Sequence, residues 1–216
     1  MKILTVSDKV EELIYSPAIK RLFADVDLVL GCGDLPHYYL EFIVTILGGP
    51  LFYVIGNHGN AVKQRYAPKV EWGYPGGCVN IDGRTVSYKG LLIAGLEGSM
   101  RYNNNPDFQY TERQMAWKVW ELVPSLVLNR LLHGRYLDIL ITHAPPWGIH
   151  DRSDLCHRGF RAFRMVMDRF RPRYLIHGHV HVYHPHDTTE TVYRDTSVIN
   201  TYGYRTLEID EESLRP

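Results

Sequence analysis

Six short apolar runs, KILTVS, VDLVLG, PLFYVIG, LLIAGL, LDILITH and RYLIHGH, recur along the chain, and each soon stops at Gly, Asp, Asn or His. Runs this short and this rich in Val, Ile and Leu are what strands buried on both faces look like. Helical signals lie between several of them. Ser16 can cap a turn with Pro17 at its first position, and PHYYLEFIVTIL follows Asp34. YTERQMAWKVWELVPSLVLNRLLHG is longer, with Thr111 as cap, Pro124 as a kink and Gly134 as the stop. RGFRAFRMVMDRF then precedes the strand at Arg173 to His177. Strands alternating with helices, followed by SVIN and RTLEID, predict a layered α/β fold with some antiparallel pairing.

A chain of 216 residues fits one such domain, spanning 1–216, with a core large enough to need no disulfides. Cys32, Cys78 and Cys156 contain no CxxC pair and read as reduced thiols. MKILTVSD turns polar too early for a signal peptide, and no run approaches membrane-spanning length, so a cytoplasmic location and no membrane partner are expected. Lys plus Arg equal Asp plus Glu, so no global basic field exists to hold a nucleic-acid polymer. Any charged ligand must be held locally. GLEGSMRYNNNPDFQYTE, the least regular stretch, reads as a functional loop rather than a domain boundary.

Chemistry collects where the apolar runs end. Asp8, Asp34, Asn57 with His58, His143, and His179 with His181 follow successive strands. In α/β sheets ligands bind beyond the carboxyl ends of strands, so these side chains are expected at one edge. Oxygen and imidazole donors suit Mn, Fe or Zn, and a carboxylate can bridge two ions. LIHGHVHVYHPH alone holds five histidines in twelve residues, a pattern that fits either ligands or surface polarity.

In their order, GCGD, GNH, THAPP and HGHVH resemble the calcineurin-like metallophosphoesterase superfamily, and the resemblance runs from Asp8 to His181. It implies a single-domain four-layer α/β/β/α sandwich with two divalent metal ions. Asp8 and His181 would serve the first ion, Asn57, His143 and His179 the second, and Asp34 would bridge. His58 would face the phosphate or leaving group, with Asp34 and His58 as the catalytic residues. Two such cations neutralise a phosphoryl group and activate water near neutral pH.

Two positions depart from the family pattern. The first block carries Val10 where the family has His, leaving the first ion one ligand short and its site weak or empty. Lys9 either points away or supplies part of the missing charge; His37 is a candidate substitute ligand, set against an ordinary place at a helix start. Gly59 stands where the family has an acid beside His58, which weakens the case for His58 as a general acid.

On the substrate side, GSMRYNNN offers Arg101, Tyr102 and Asn103, and the stretch after His143 offers His157 and Arg158. The resemblance implies a helix start close to the metals here, so that Arg158 and the amides near Gly159 hold an anionic group; the alternatives are that Asp154 caps a helix beginning near Cys156 and that Arg101 pairs with a surface carboxylate. Met115, Trp117, Val119, Trp120 and Leu122 suggest core packing or a homo-oligomer face, since no basic stripe accompanies them. His184 and His186 read as an exposed loop, and EIDEESLRP as a solvated tail. The resulting expectation is a metal-dependent hydrolase of a small phosphodiester, or of a monoester. The alternatives are a single-metal enzyme and a degenerate, non-catalytic protein that binds a phosphorylated metabolite.

Overall fold

The structure is a computed structural model that describes residues 1–58, 74–104, 107–184 and 186–210. Chain order gives β1 (Lys2–Ser7), α1 (Ile19–Leu22), β2 (Leu28–Gly31), α2 (His37–Leu47), β3 (Leu51–Tyr53), β4 (Cys78–Asn80), β5 (Thr85–Tyr88), β6 (Leu91–Leu96), β7 (Ser99–Met100) and β8 (Gln109–Tyr110). There follow α3 (Glu112–His133), β9 (Ile139–Thr142), α4 (Arg161–Phe170), β10 (Tyr174–His177), β11 (Glu190–Tyr193), β12 (Thr196–Asn200) and β13 (Gly203–Glu208).

Two large sheets form, ordered β13-β1-β2-β3-β4 and β11-β12-β10-β9-β6-β5. Their interior pairs are parallel, while β13, β11 and β5 join antiparallel. Alternation along each strand decides the layers. Ile3, Leu28, Leu30, Ile93, Ile139, Ile141 and Ile176 pack between the sheets. Leu4, Val6 and Val29 face outward from the first sheet onto Ile19, Phe23, Tyr39 and Ile43 of the α1–α2 side. Ala94, Leu140, Leu175 and Val198 face outward from the second onto Met115, Val119 and Leu122 of α3 and Phe163 and Val166 of α4. The result is the four-layer α/β/β/α sandwich, and the fully apolar runs follow from burial on both faces. Each Leu or Ile fully withdrawn from water there contributes about 2 kcal/mol.

Most helix ends fall where the sequence signals place them. Thr111 forms a capping box with Gln114, Gly134 takes the left-handed conformation that ends α3, and the helix runs through Pro124 without a break. One helix start needs correction. Residues 151–160 are bends and turns, and α4 begins at Arg161 rather than near Cys156. Phe160 cannot cap it; Glu112 of α3 does so from across the structure, accepting from the amides of Arg161 (3.1 Å) and Ala162 (2.8 Å).

Candidate metal centre

The parallel strands deliver the expected residues to one edge. Asp8 follows β1, Asp34 lies just beyond β2, Asn57 beyond β3, His143 follows β9 and His179 lies just beyond β10. One ligand atom from each of Asp34, His143 and His179 lies within 4.8 Å of the other two. His143 and His179 are buried, as is Asn57.

Backbone carbonyls fix both rings. Nδ1–H of His143 donates to Cys32 O (2.8 Å), so Nε2 faces Asn57 Oδ1 (2.9 Å) and Asp34 Oδ2 (3.3 Å). Nε2–H of His179 donates to Cys156 O (2.8 Å), leaving Nδ1 as its lone-pair atom. Asn57 is oriented in turn, since its Nδ2 donates to the hydroxyl of Tyr102 (3.2 Å) and its Oδ1 must then point at His143.

The two carboxylates are used alike. Asp34 Oδ1 accepts the amide of His58 (2.9 Å) and Asp8 Oδ2 accepts the amide of His179 (2.9 Å). Each aspartate thereby holds another loop of the site with one oxygen and keeps the other for the centre. The remaining Asp8 oxygen, Oδ1, is buried without a hydrogen-bond partner among the described residues and lies 4.0 Å from His181 Nε2. Asp8, Asp34 and His179 all hold left-handed backbone (φ 63°, 54° and 66°), a strain that side chains other than glycine accept only where the surroundings impose it.

An imidazole lone pair aimed at two oxygens, beside a bare buried carboxylate oxygen, calls for positive charge. Protons supply it here. Burial disfavours a charged His143, but the Asp34 carboxylate overrides it and raises the ring to about 9. Burial likewise works against ionising Asp34, and His143 pulls its carboxyl down to about 2. Asp8 is raised, by burial first, with His143 opposing. The donor set therefore fits a divalent ion at Asp34, Asn57, His143 and His179, and offers Asp8, Asp34 and His181 for another.

Val10 leaves that other set short. Its side chain packs against the cluster under α2, and Lys9 turns away to Glu11 (2.9 Å). His37 stands at the start of α2 and lies outside the grouped ligand atoms. His181 is half exposed, its ring leaning on Tyr202 with centroids 4.7 Å apart and its Nδ1 3.0 Å from the Tyr183 hydroxyl. Gly59 lies outside the described residues, as do residues 211–216 of the acidic tail.

The substrate-side residues separate. His58 is exposed beside Asp34, and the ring of His157 sits 5.1 Å from that of His179. Arg101 is turned away: its Nη2 donates to Gln109 O (3.2 Å) and reaches Gln114 Oε1 (3.4 Å). Asn103 is exposed in the same loop. Tyr102, between them, reaches the centre through its hydroxyl, which accepts from Asn57 Nδ2. The amides expected to hold an anion are already engaged, because Gly159 N donates to Asp151 (3.1 Å) and the first amides of α4 to Glu112. Asp154 closes a turn instead of a helix, accepting from His157 N (3.1 Å) and Nδ1 (2.9 Å). Arg158 lines an open cleft of about 770 Å³ with Arg152, Arg161 and Trp147. Arg152 also donates to the carbonyl of His181 (2.8 Å), which ties the cleft to the centre.

Two histidines serve the fold. His177 Nε2 lies 3.0 Å from His150 Nδ1, and His150 Nε2 lies 2.9 Å from Thr191 Oγ1. Burial, and then Arg205, lowers His150 to about 4. The unfolded chain, with histidine near 6.5, binds more protons between these values, so this contribution to stability is complete above about pH 6.5 and is lost as pH falls toward 4. We expect the unfolding midpoint of the metal-free protein to fall between about pH 7 and about pH 4.5, and to fall less in His150→Gln. Parallel melting curves for the two proteins would remove this assignment.

A layered sandwich with these oxygen and imidazole donors at its strand ends has the arrangement expected of a metallophosphoesterase. The sequence profile of the calcineurin-like phosphoesterases matches residues 1–183, and the chain belongs to that family of metal-dependent phosphoesterases. It is similar to the uncharacterised protein MJ1162 of Methanocaldococcus jannaschii, with 24% identity over 190 residues, 84% of this chain and 80% of that one. Its fold is similar to that of TT1561 of Thermus thermophilus, with a TM-score of 0.62, 16% identity, and coverage of 99% of this chain and 96% of that one. It is also similar to GAP50, the anchor in the inner membrane complex of Plasmodium, with a TM-score of 0.53, 14% identity, and coverage of 94% and 71%. Among the described residues, no helix is long and apolar enough to cross a membrane.

Proposed function

We propose that the protein hydrolyses a small phosphodiester with two divalent ions, one held tightly by Asp34, Asn57, His143 and His179 and one more weakly by Asp8, Asp34 and His181. The observation that carries this is the pairing of a bare buried oxygen on Asp8 with a ring nitrogen of His143 aimed at Asn57 and Asp34. Ions bound there would polarise the phosphoryl oxygens and lower the pKa of water enough to supply hydroxide as the nucleophile near neutral pH.

The protein's own groups do the rest. Asp34 sits between the two ligand sets and orients His58 through its amide, leaving the exposed ring of His58 beside the departing oxygen. Arg158 meets the anionic part of the substrate, since the nearby amides are taken by Asp151 and Glu112. His157, beside His179, and Asn103, next to Tyr102, complete the substrate-binding set of this proposal. The open cleft supports a diester, whose second ester group needs room that a monoester does not. Free Cys32, Cys78 and Cys156 agree with a reducing cytoplasm.

The test combines metal counting with turnover. After dialysis against Mn, elemental analysis is expected to find two ions per chain, one lost first on dilution, in a variant lacking His184 and His186 as in the wild type. A chromogenic phosphodiester should be cleaved faster than the matching monoester, and only with metal. Tight metal binding without cleavage of either ester would overturn the hydrolase in favour of a phosphometabolite-binding protein.

A further inference from the structure

We propose that the outer face of α3 is a homodimer interface, in which the helix packs antiparallel against α3 of a second copy. The helix is apolar on two opposite sides. Met115, Val119, Leu122 and Leu126 form its buried seam. Across from them Trp117, Trp120 and Leu131 stand 68%, 61% and 77% exposed, with Val127, Leu128 and Leu132 exposed among them. A helix with apolar residues all round is normally covered on both sides. Single exposed apolar residues are ordinary, but a continuous stripe of this size marks a contact surface.

The stripe matches a second copy of itself. Positions 117, 120, 124, 127 and 131 repeat at three- and four-residue steps, the seam of a two-helix coil. Trp117 and Leu131 lie seven residues either side of Pro124, and Trp120 and Leu128 lie four either side. An antiparallel pair centred on Pro124 therefore sets Trp117 against the partner subunit's Leu131 and Trp120 against the partner subunit's Leu128. Each of these contacts joins a large ring to an aliphatic side chain, while Val127 falls opposite the partner subunit's Glu121 at the flank of the seam. The Trp117 indole N–H already donates to Glu121 (2.9 Å), so covering the ring strands no donor. The exposed apolar side chains offer roughly 700 Å² per copy, close to the ~800 Å² per partner of a stable interface. Equal numbers of acidic and basic residues keep self-repulsion low.

The experiment is sedimentation of the full chain over a hundredfold concentration range. A dimer is expected for the wild type, and a monomer for the double variant Trp120→Glu, Leu128→Glu, with metal-dependent ester cleavage retained by both. Register is read separately by oxidation of Pro124→Cys, which should yield a covalent dimer. Arg113→Cys should yield no more than the unmodified chain does, since that position lies about 33 Å from its mate in the same pairing. A monomeric wild type would overturn the proposal, as would a dimer that survives the double variant. A stripe that binds lipid vesicles or another protein while the chain stays monomeric would assign the face to that occupant and equally remove the dimer.

Discussion

Asp34→Asn should remove metal binding and turnover together while leaving the fold intact. The substitution takes away the charge that both ligand sets share and keeps an oxygen able to accept the His58 amide (2.9 Å). Asparagine also tolerates the left-handed backbone at this position, φ 54°. Loss of a mere supporting group costs roughly ten- to a hundredfold in metal affinity, so loss of a shared ligand is expected to cost more than about a hundredfold. Ester cleavage should fall by about a thousandfold or more. Equilibrium dialysis with Mn, elemental analysis and melting curves check all three parts. Wild-type metal content in the variant would show that Asp34 is not a ligand.

Gly33→Ala should produce a large loss of stability. Its φ of 97° is closed to side chains, and an added Cβ would lie 2.5 Å from His143 Nδ1 and 2.8 Å from Gly56 N. The collision falls on the nitrogen that donates to Cys32 O, so the ring must leave its place or the β2 loop must move. We expect about 3–5 kcal/mol of destabilisation, with the unfolding midpoint lowered by on the order of 10 °C. Gly90→Ala separates the two causes, because Gly90 has φ 85° but open space around its Cβ. It should cost about 1–2 kcal/mol from backbone strain alone. Equal losses in the two variants would mean that the close approach at Gly33 contributes nothing.

The sequence is most legible where one local cause decides the structure. Strands buried on both faces show as apolar runs, and Thr111 and Gly134 announce α3 because their signals are local. β4, β5 and β11 are short and partly exposed, so no apolar run marks them. The sequence misplaces the start of α4 because its cap comes from Glu112, 49 residues away. In the site, Asp8, Asp34, Asn57, His143 and His179 are legible as the polar ends of runs. Nothing sets Tyr102 above its neighbours, since its contact with Asn57 crosses 45 residues and a tyrosine in an Asn-rich loop carries no local mark. The same limit hides the pairing of His150 with His177, and makes Arg101 look available when Gln109 and Gln114 hold it.

β13 lies antiparallel to β1, with Lys2 opposite Glu208 and Ser7 opposite Gly203, and the hydroxyls of Thr5 and Thr201 bond to each other beside the pair. During synthesis β1 emerges first of these strands and β13 last. One side of β1 therefore stays uncovered on the ribosome until nearly all the described chain has been made, and the Asp8 end of the strand waits almost as long for His179, 171 residues downstream. Such distant pairing slows folding and leaves an open strand edge to attract other chains in the meantime. Nascent chains halted before β13 are thus expected to depend on chaperones in a way the finished protein does not.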